Sequence, residues 1–267
     1  MFTFFAGKFK EACSSKKVFH NSIRFEFHEL SDFYEMKKVL RFAGKFLLYF
    51  LLLSVASVIV FRFVPIPFTP LMAQRMAGQL INHKPIRFSK DWVSIEKMTP
   101  LLPLAVVASE DQNYLEHSGF DTKAIEEAMK YNEHHKKKRG ASTISQQTAK
   151  NVFLWPSRSW LRKGFEVYFT FLIEVFWNKE RIMEVYLNVI EMGDGIYGAE
   201  AAAHYYFHKS AAELNGQQCA ALASILPSPL KWSPIRPGAM VAQRQRWILR
   251  QMSNLGGTLD FDGEGEK

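Results

Sequence analysis

Three stretches of this chain gather residue types that can move a proton or hold a phosphate. The first closes an apolar run, Val106-Val107-Ala108-Ser109-Glu110-Asp111, with His117, Gly119 and Asp121 just beyond. An apolar run that delivers two adjacent carboxylates places Glu110 at the edge of a core, where a carboxyl group can serve as general acid or base. The same pattern also fits a helix C-terminus with solvated acids. The second stretch, Gly140 to Asn151, carries Ser142, Thr143, Gln146, Gln147 and Lys150. Ser142 or Thr143 can cap a helix on which the two glutamines stand one turn before Lys150, so an amide and an ammonium share a face. Such a helix start suits a phosphate or sugar, although Gln-rich exposed helices are common. In the third stretch Arg158, Arg162 and Lys163 precede Glu166 at the start of the apolar segment EVYFTFLIEVFW. This is either an anion site beside a carboxylate or a basic helix start facing anionic lipid.

The elements that must position these residues read as helices. Asn178 is a natural N-cap for KERIMEVYLNVI, whose Ile182, Val185, Tyr186 and Val189 fall on one face. Ser210-Ala-Ala-Glu213 has the form of a capping box and predicts a helix running to Leu226, stopped by Pro227 and Pro229. Strand-like alternation is scarce, so the expected class is mainly α. At 267 residues there is room for one domain and an appendage. Hydrophobic residues make up 48%, which excludes global disorder. The formal charge of +8 asks for an anionic partner, with nucleic acid, anionic lipid and pyrophosphate all admissible on charge alone. The run His134 to Arg139 reads as a solvated, mobile loop. No Cys/His spacing suggests zinc, and Cys219, in an Ala-rich run, reads as a small buried apolar residue.

Phe46 to Phe61 carry no charge and as a helix span about 24 Å, with Lys45 and Arg62 able to snorkel. Lys37, Lys38, Arg41 and Lys45 precede this run and, by the positive-inside rule, stay cytoplasmic. The bulk of the chain is then outside, which disfavours nucleic acid and puts Cys13 and Cys219 on opposite sides of the membrane. Phe-Arg-Phe-Val-Pro-Ile-Pro follows the run where a signal peptide would need small residues, so a retained anchor is expected. The expected organisation is a cytoplasmic segment 1–45, an anchor 46–64, a proline-stiffened linker 65–71, a helical catalytic domain 72–255 and an acidic, Gly-rich tail 256–267. Residues 1–35 differ in texture from the rest and are expected to be dispensable, or to reflect a start codon assigned upstream of Met36.

Taken together, five segments resemble, in order and spacing, the motifs of the peptidoglycan glycosyltransferase family. They are Glu110-Asp111 with Tyr114, His117, Gly119 and Asp121; Gly140 to Asn151; Arg162-Lys163 with Glu166; Lys179 to Asn188; and Gly195 to Phe207. The resemblance covers about Met72 to Leu255 and departs mildly at Tyr114, Ala141 and Thr148. It implies a lysozyme-like, two-lobed helical fold that polymerises lipid II into β-1,4 glycan with inversion and release of undecaprenyl pyrophosphate. It implies Glu110 as the base and Glu166 beside the leaving pyrophosphate, alone or through a divalent cation such as Mg or Mn, with no organic cofactor. Lys150, Arg158, Arg162 and Lys163 would offset phosphate charge, and Ser142, Gln146 and Gln147 would touch sugar or phosphate. The implied partners are lipid II, the lipid-linked glycan, the bilayer of the inner membrane and other cell-wall synthesis or division proteins. Ser228-Pro-Leu-Lys231 has a transpeptidase-like spacing but lacks the accompanying motifs, so the monofunctional subtype is expected. A peptidoglycan-cleaving lysozyme-like enzyme and a non-catalytic scaffold of wall synthesis are the rival readings.

Overall fold

The computed structural model describes residues 36–136, 138–157 and 159–261. The expectations for residues 1–35 (Cys13 among them), for Arg158 and for the tail beyond Phe261 fall outside the described residues. Two compact units divide at Ser57/Val58. The described part of the first belongs to helix α1 (Met36–Phe63), 28 residues long, about 42 Å at 1.5 Å per residue. Its Phe46, Leu47, Leu48, Leu52 and Leu53 side chains are exposed, a pattern that suits hydrocarbon rather than water.

The second unit starts inside the last turns of α1, not after the prolines. Trp177 Nε1 donates to the Val58 carbonyl at 2.8 Å, and Arg181 Nη2 donates to the Phe61 and Val64 carbonyls at 2.8 Å each. The bond to Phe61 satisfies a carbonyl that the helix C-terminus leaves unpaired, and the bond to Val64 pairs the carbonyl just beyond it. The expected linker is correspondingly short and packed. Ile66 and Thr69 are buried, and Thr69 caps α2 (Pro70–Ile81) with Pro70 as its first residue, where a missing N–H costs nothing.

Helix α3 (Leu101–Glu110) is the centre of the core. Leu102 and Leu104 to Val107 are almost wholly inaccessible, each large side chain contributing about 1.5–3 kcal/mol by its burial. It packs against α9 (Gly216–Ile225) and α10 (Ala239–Asn254), close approach being allowed by Ala220, Ala221 and Ala223. Cys219 is fully buried there, and burial pushes its thiol up to about 12, so it is an apolar filler. A second layer is built on α5 (Ile144–Phe153), which packs on α6 (Trp160–Phe176) and α7 (Lys179–Val189). Asn178 caps α7 as the sequence predicts, and Ile182, Val185, Tyr186 and Val189 are buried. Between α3 and α5 lies α4 (Thr122–His134).

One expectation needs correction. Ser210 and Glu213 do form a capping box, but it opens only a 3-10 turn, Ala211–Glu213. Leu214 turns extended, and Asn215 starts α9 afresh with its own capping box to Gln218. The chain also contains a small sheet, β1 (Ser89–Lys90) parallel to β3 (Ile196–Tyr197) and β2 (Glu191–Gly193) antiparallel to it. Gly198 leads from this sheet into α8 (Ala199–Phe207) with φ of 84°, and a Cβ there would meet the Asn188 carbonyl at 2.8 Å.

Candidate active site

Glu110 and Asp111 leave the end of α3 in different directions. Asp111 turns inward: its Oδ2 accepts from the Ile144 N–H at 2.9 Å, and its Oδ1 lies 2.9 Å from His117 Nε2. A carboxylate against the first amide of α5 is favoured by the helix dipole as well as by the hydrogen bond. The start of α5 is fixed a second time through Thr143, whose hydroxyl donates to the Gly119 carbonyl at 2.7 Å and accepts from Gln146 N. Gly119 sits at φ 85°, and any Cβ on it would fall 2.9 Å from Thr170 and Glu174. The end of α3 and the start of α5 are thereby locked to each other before any ligand arrives.

Glu110 faces the other way, and every polar neighbour the structure gives it is a donor. Arg244 Nη2 on α10 donates to Oε1 at 2.9 Å, the Ser109 hydroxyl donates to Oε1 at 3.0 Å, and Gln147 Nε2 donates to Oε2 at 3.2 Å. The Gln147 amide is oriented in turn by Tyr186, whose hydroxyl donates to its Oε1 at 3.1 Å. Tyr186 is completely buried; desolvation first, then the charges of Glu110 and Asp111, hold its phenol far above the ordinary range, so it is a permanent donor. A cavity of about 350 Å³ opens beside Glu110, with Ser142 and Trp247 in its wall.

Glu166 has the opposite surroundings. It is 3% exposed, on the face of α6 that carries Arg162 and Lys163 one turn earlier. Arg162 Nη1 donates to Oε2 at 3.0 Å and Lys163 Nζ to Oε1 at 2.5 Å. Ser159 caps this helix through the Arg162 N–H. Lys150 stands in the field of both sites. Burial pushes its ammonium below the usual lysine range; Glu166 opposes that shift, Arg162 and Lys163 reinforce it, and Glu110 opposes it more weakly.

The predicted residues therefore converge, with two qualifications. Gln146 is buried, its side-chain carbonyl accepting from the Thr143 N–H at 3.0 Å in a capping box, so it builds the helix rather than facing the cavity. Arg158 lies outside the described residues. Three residues that hold the site escaped the sequence reading: Ser109, Tyr186 in its role as donor, and Arg244, which is 134 positions from its partner. Arg244 is one of several arginines in a polar helix, and no spacing singles it out.

The surroundings of Glu166 do not fit a protein-held divalent cation. Both its oxygens accept from cationic side chains, and among the described residues no cluster of three His, Cys, Asp or Glu side chains could hold a metal. Hard divalent ions need several oxygen donors together.

A helical domain that offers one donor-held carboxylate, one cation-clamped carboxylate and a lysine in the field of both is equipped for group transfer with an anionic leaving group. A family model described as Transglycosylase matches residues 77–253. The chain is 56% identical over 218 residues to a biosynthetic peptidoglycan transglycosylase of Bacteroides thetaiotaomicron, covering 82% of this chain and 88% of that protein. It is 53% identical over 222 residues to the protein so named in Pseudomonas entomophila (83% and 94% covered), and 51% identical over 214 residues to that of Mannheimia succiniciproducens (80% and 88% covered). The chain belongs to the transglycosylase family, the glycosyltransferases that polymerise the glycan strands of peptidoglycan.

Proposed function

We propose that this chain polymerises lipid II by inverting transfer of a lipid-pyrophosphate-linked glycan to the 4-hydroxyl of an incoming lipid-linked disaccharide. The observation that carries this reading is the contrast between the two carboxylates. Glu110, surrounded by donors at the edge of a cavity, takes the proton of the acceptor hydroxyl. The hydroxyl oxygen then attacks the anomeric carbon, the C1–O bond to pyrophosphate breaks, and its electron pair leaves with the pyrophosphate. Attack opposite the leaving group inverts the centre, and it requires a base and a leaving-group site at separate positions. Lys150, Arg162 and Lys163 supply positive charge on the leaving-group side, with Glu166 spacing two of those cations and keeping them from repelling each other.

Helix α1 serves as a single membrane span with Lys37, Lys38, Arg41 and Lys45 on the cytoplasmic side and the catalytic unit on the other. Substrate and product share a lipid-anchored pool, so the tether raises their effective concentration at the site.

The test is polymerisation of lipid II by the full chain in detergent, with glycan resolved by length. Wild type is expected to give long glycan and Glu110→Gln none above about 1% of that rate, the lower end for loss of a general base. A folded wild type that shortens glycan supports the hydrolase, and one that leaves lipid II untouched supports the scaffold.

A further inference from the structure

The cavity beside Glu110 has a feature that proton transfer does not use. Its wall includes Trp247, an indole in a lining otherwise made of polar, charged and small side chains. Trp247 lies on α10 three residues after Arg244, so the two side chains share a helix face. Arg244 reaches Glu110 Oε1 at 2.9 Å. One helix thus supplies both the guanidinium that holds the base and the aromatic surface next to it. The exposed Glu127 and Arg139 complete the rim. Lys150, Arg162, Lys163 and Glu166 are not part of this lining.

A pyranose ring is amphipathic in the way such a wall requires. Its axial C–H bonds form an apolar face, and its equatorial hydroxyls radiate outward toward polar groups. A half-buried indole offers a flat, rigid apolar surface at little entropic cost, and pockets that orient a ligand combine such surface with a few polar groups. We infer that Trp247 is a sugar platform: one ring of the glycan stacks on its indole while Glu127 and Arg139 meet hydroxyls at the rim, placing the reacting sugar against Glu110. This rests on the proposed transfer reaction, which says where the reacting hydroxyl must be but not what aligns the ring that carries it.

The experiment has two arms. In the first, Trp247→Ala, Trp247→Leu and Trp247→Phe are compared in lipid II polymerisation, with thermal midpoints measured alongside. The platform predicts about a tenfold rise in KM for Ala and for Leu, a smaller change in kcat, and substantial recovery by Phe. A merely structural indole predicts instead that Leu, which keeps apolar bulk, restores KM, and that the losses follow the thermal midpoint. In the second arm, a soluble tetrasaccharide of alternating N-acetylglucosamine and N-acetylmuramic acid is titrated into 15N-labelled full chain, the Trp247 indole N–H being assigned by its loss in Trp247→Phe. A saturable shift of that resonance supports the platform even if the preparation does not polymerise. An indole resonance that stays fixed, or a KM unchanged in both Ala and Leu while wild type polymerises, overturns it and leaves the transfer reaction standing.

Discussion

The two carboxylates of the site differ in how their partners are supplied. Glu166 takes both from its own helix, one turn away, through spacings of three and four residues. Glu110 takes its partners from α5 and α10, 37 and 134 positions distant, and from its neighbour Ser109. A local clamp exists as soon as α6 forms, and it holds Glu166 as a fixed negative charge between two positive ones. A non-local clamp exists only in the finished fold, so the donors around Glu110 report correct packing of α3, α5 and α10. The first arrangement suits a charge template that must not move. The second suits a base that must exchange a proton while its carboxylate stays aligned.

Exchanging the two carboxylates for their amides probes this difference most directly. Glu110→Gln removes the proton acceptor and should lower kcat by about 100-fold to 10,000-fold, with only a small downward move of the pH at which activity fades in alkali. Glu166→Gln removes the negative charge that contributes more to supporting the Lys150 ammonium. Its alkaline limb should move to lower pH, because losing a favourable charge lowers the lysine pKa further. A full pH–kcat profile of each variant distinguishes the roles; an unshifted limb in Glu166→Gln would mean that Lys150 does not feel this carboxylate.

Lys150 itself joins the two regions. Lys150→Met should lower kcat about 100-fold, the scale for removing one charge-stabilising donor, while raising the thermal midpoint. The sign follows from linkage. The folded pKa lies below the unfolded one, so the buried ammonium destabilises the native state at neutral pH, and stability rises with pH between the lowered value and about 10.4. Removing the charge removes that cost, for a gain of about 1 kcal/mol or 2–4 °C. Differential scanning of both proteins at pH 7 checks it, and the difference should shrink as the pH is raised.

The same distinction between local and distant partners sets how much the sequence reveals. The Thr143 cap, the Asn178 cap and the Arg162/Lys163/Glu166 cluster are written within four residues of each other, the range over which helical spacing fixes neighbours. Arg244 is not legible in this way: α10 offers Arg244, Arg246 and Arg250, and only its packing on α3 selects the first. The small sheet is hidden because strands of two or three residues are too short to show alternation. The helix expected from Ser210 fails for a local reason of its own, since Asn215 with Gln218 makes a second capping box five residues on.

Arg244→Met should test the distant partner with a smaller effect than loss of the base. It removes one charged donor from Glu110 but leaves the Gln147 and Ser109 bonds, so about a tenfold fall in kcat is expected, comparable to the 1.5–3 kcal/mol of a charged hydrogen bond partly replaced by water. Ser109, which also accepts from Arg244 Nη2 at 2.8 Å, loses that donor but keeps its own proton directed at Glu110 Oε1.

The smallest expected change lies one bond further out. Tyr186 never meets the cavity, yet its hydroxyl decides which end of the Gln147 amide faces Glu110. Without that hydroxyl the amide can rotate and set its carbonyl against the carboxylate, a repulsive pairing, in a fraction of molecules. Tyr186→Phe should therefore lower kcat by only about threefold, with KM little altered and stability down by about 1 kcal/mol for the lost buried hydrogen bond. Combining it with Gln147→Ala is the decisive measurement. If Tyr186 acts only by orienting the amide, the double variant is no slower than Gln147→Ala alone, and the interaction energy of the cycle equals the whole effect of the tyrosine. Additive losses would instead give Tyr186 a second route to Glu110, through its own dipole in the buried space behind the site.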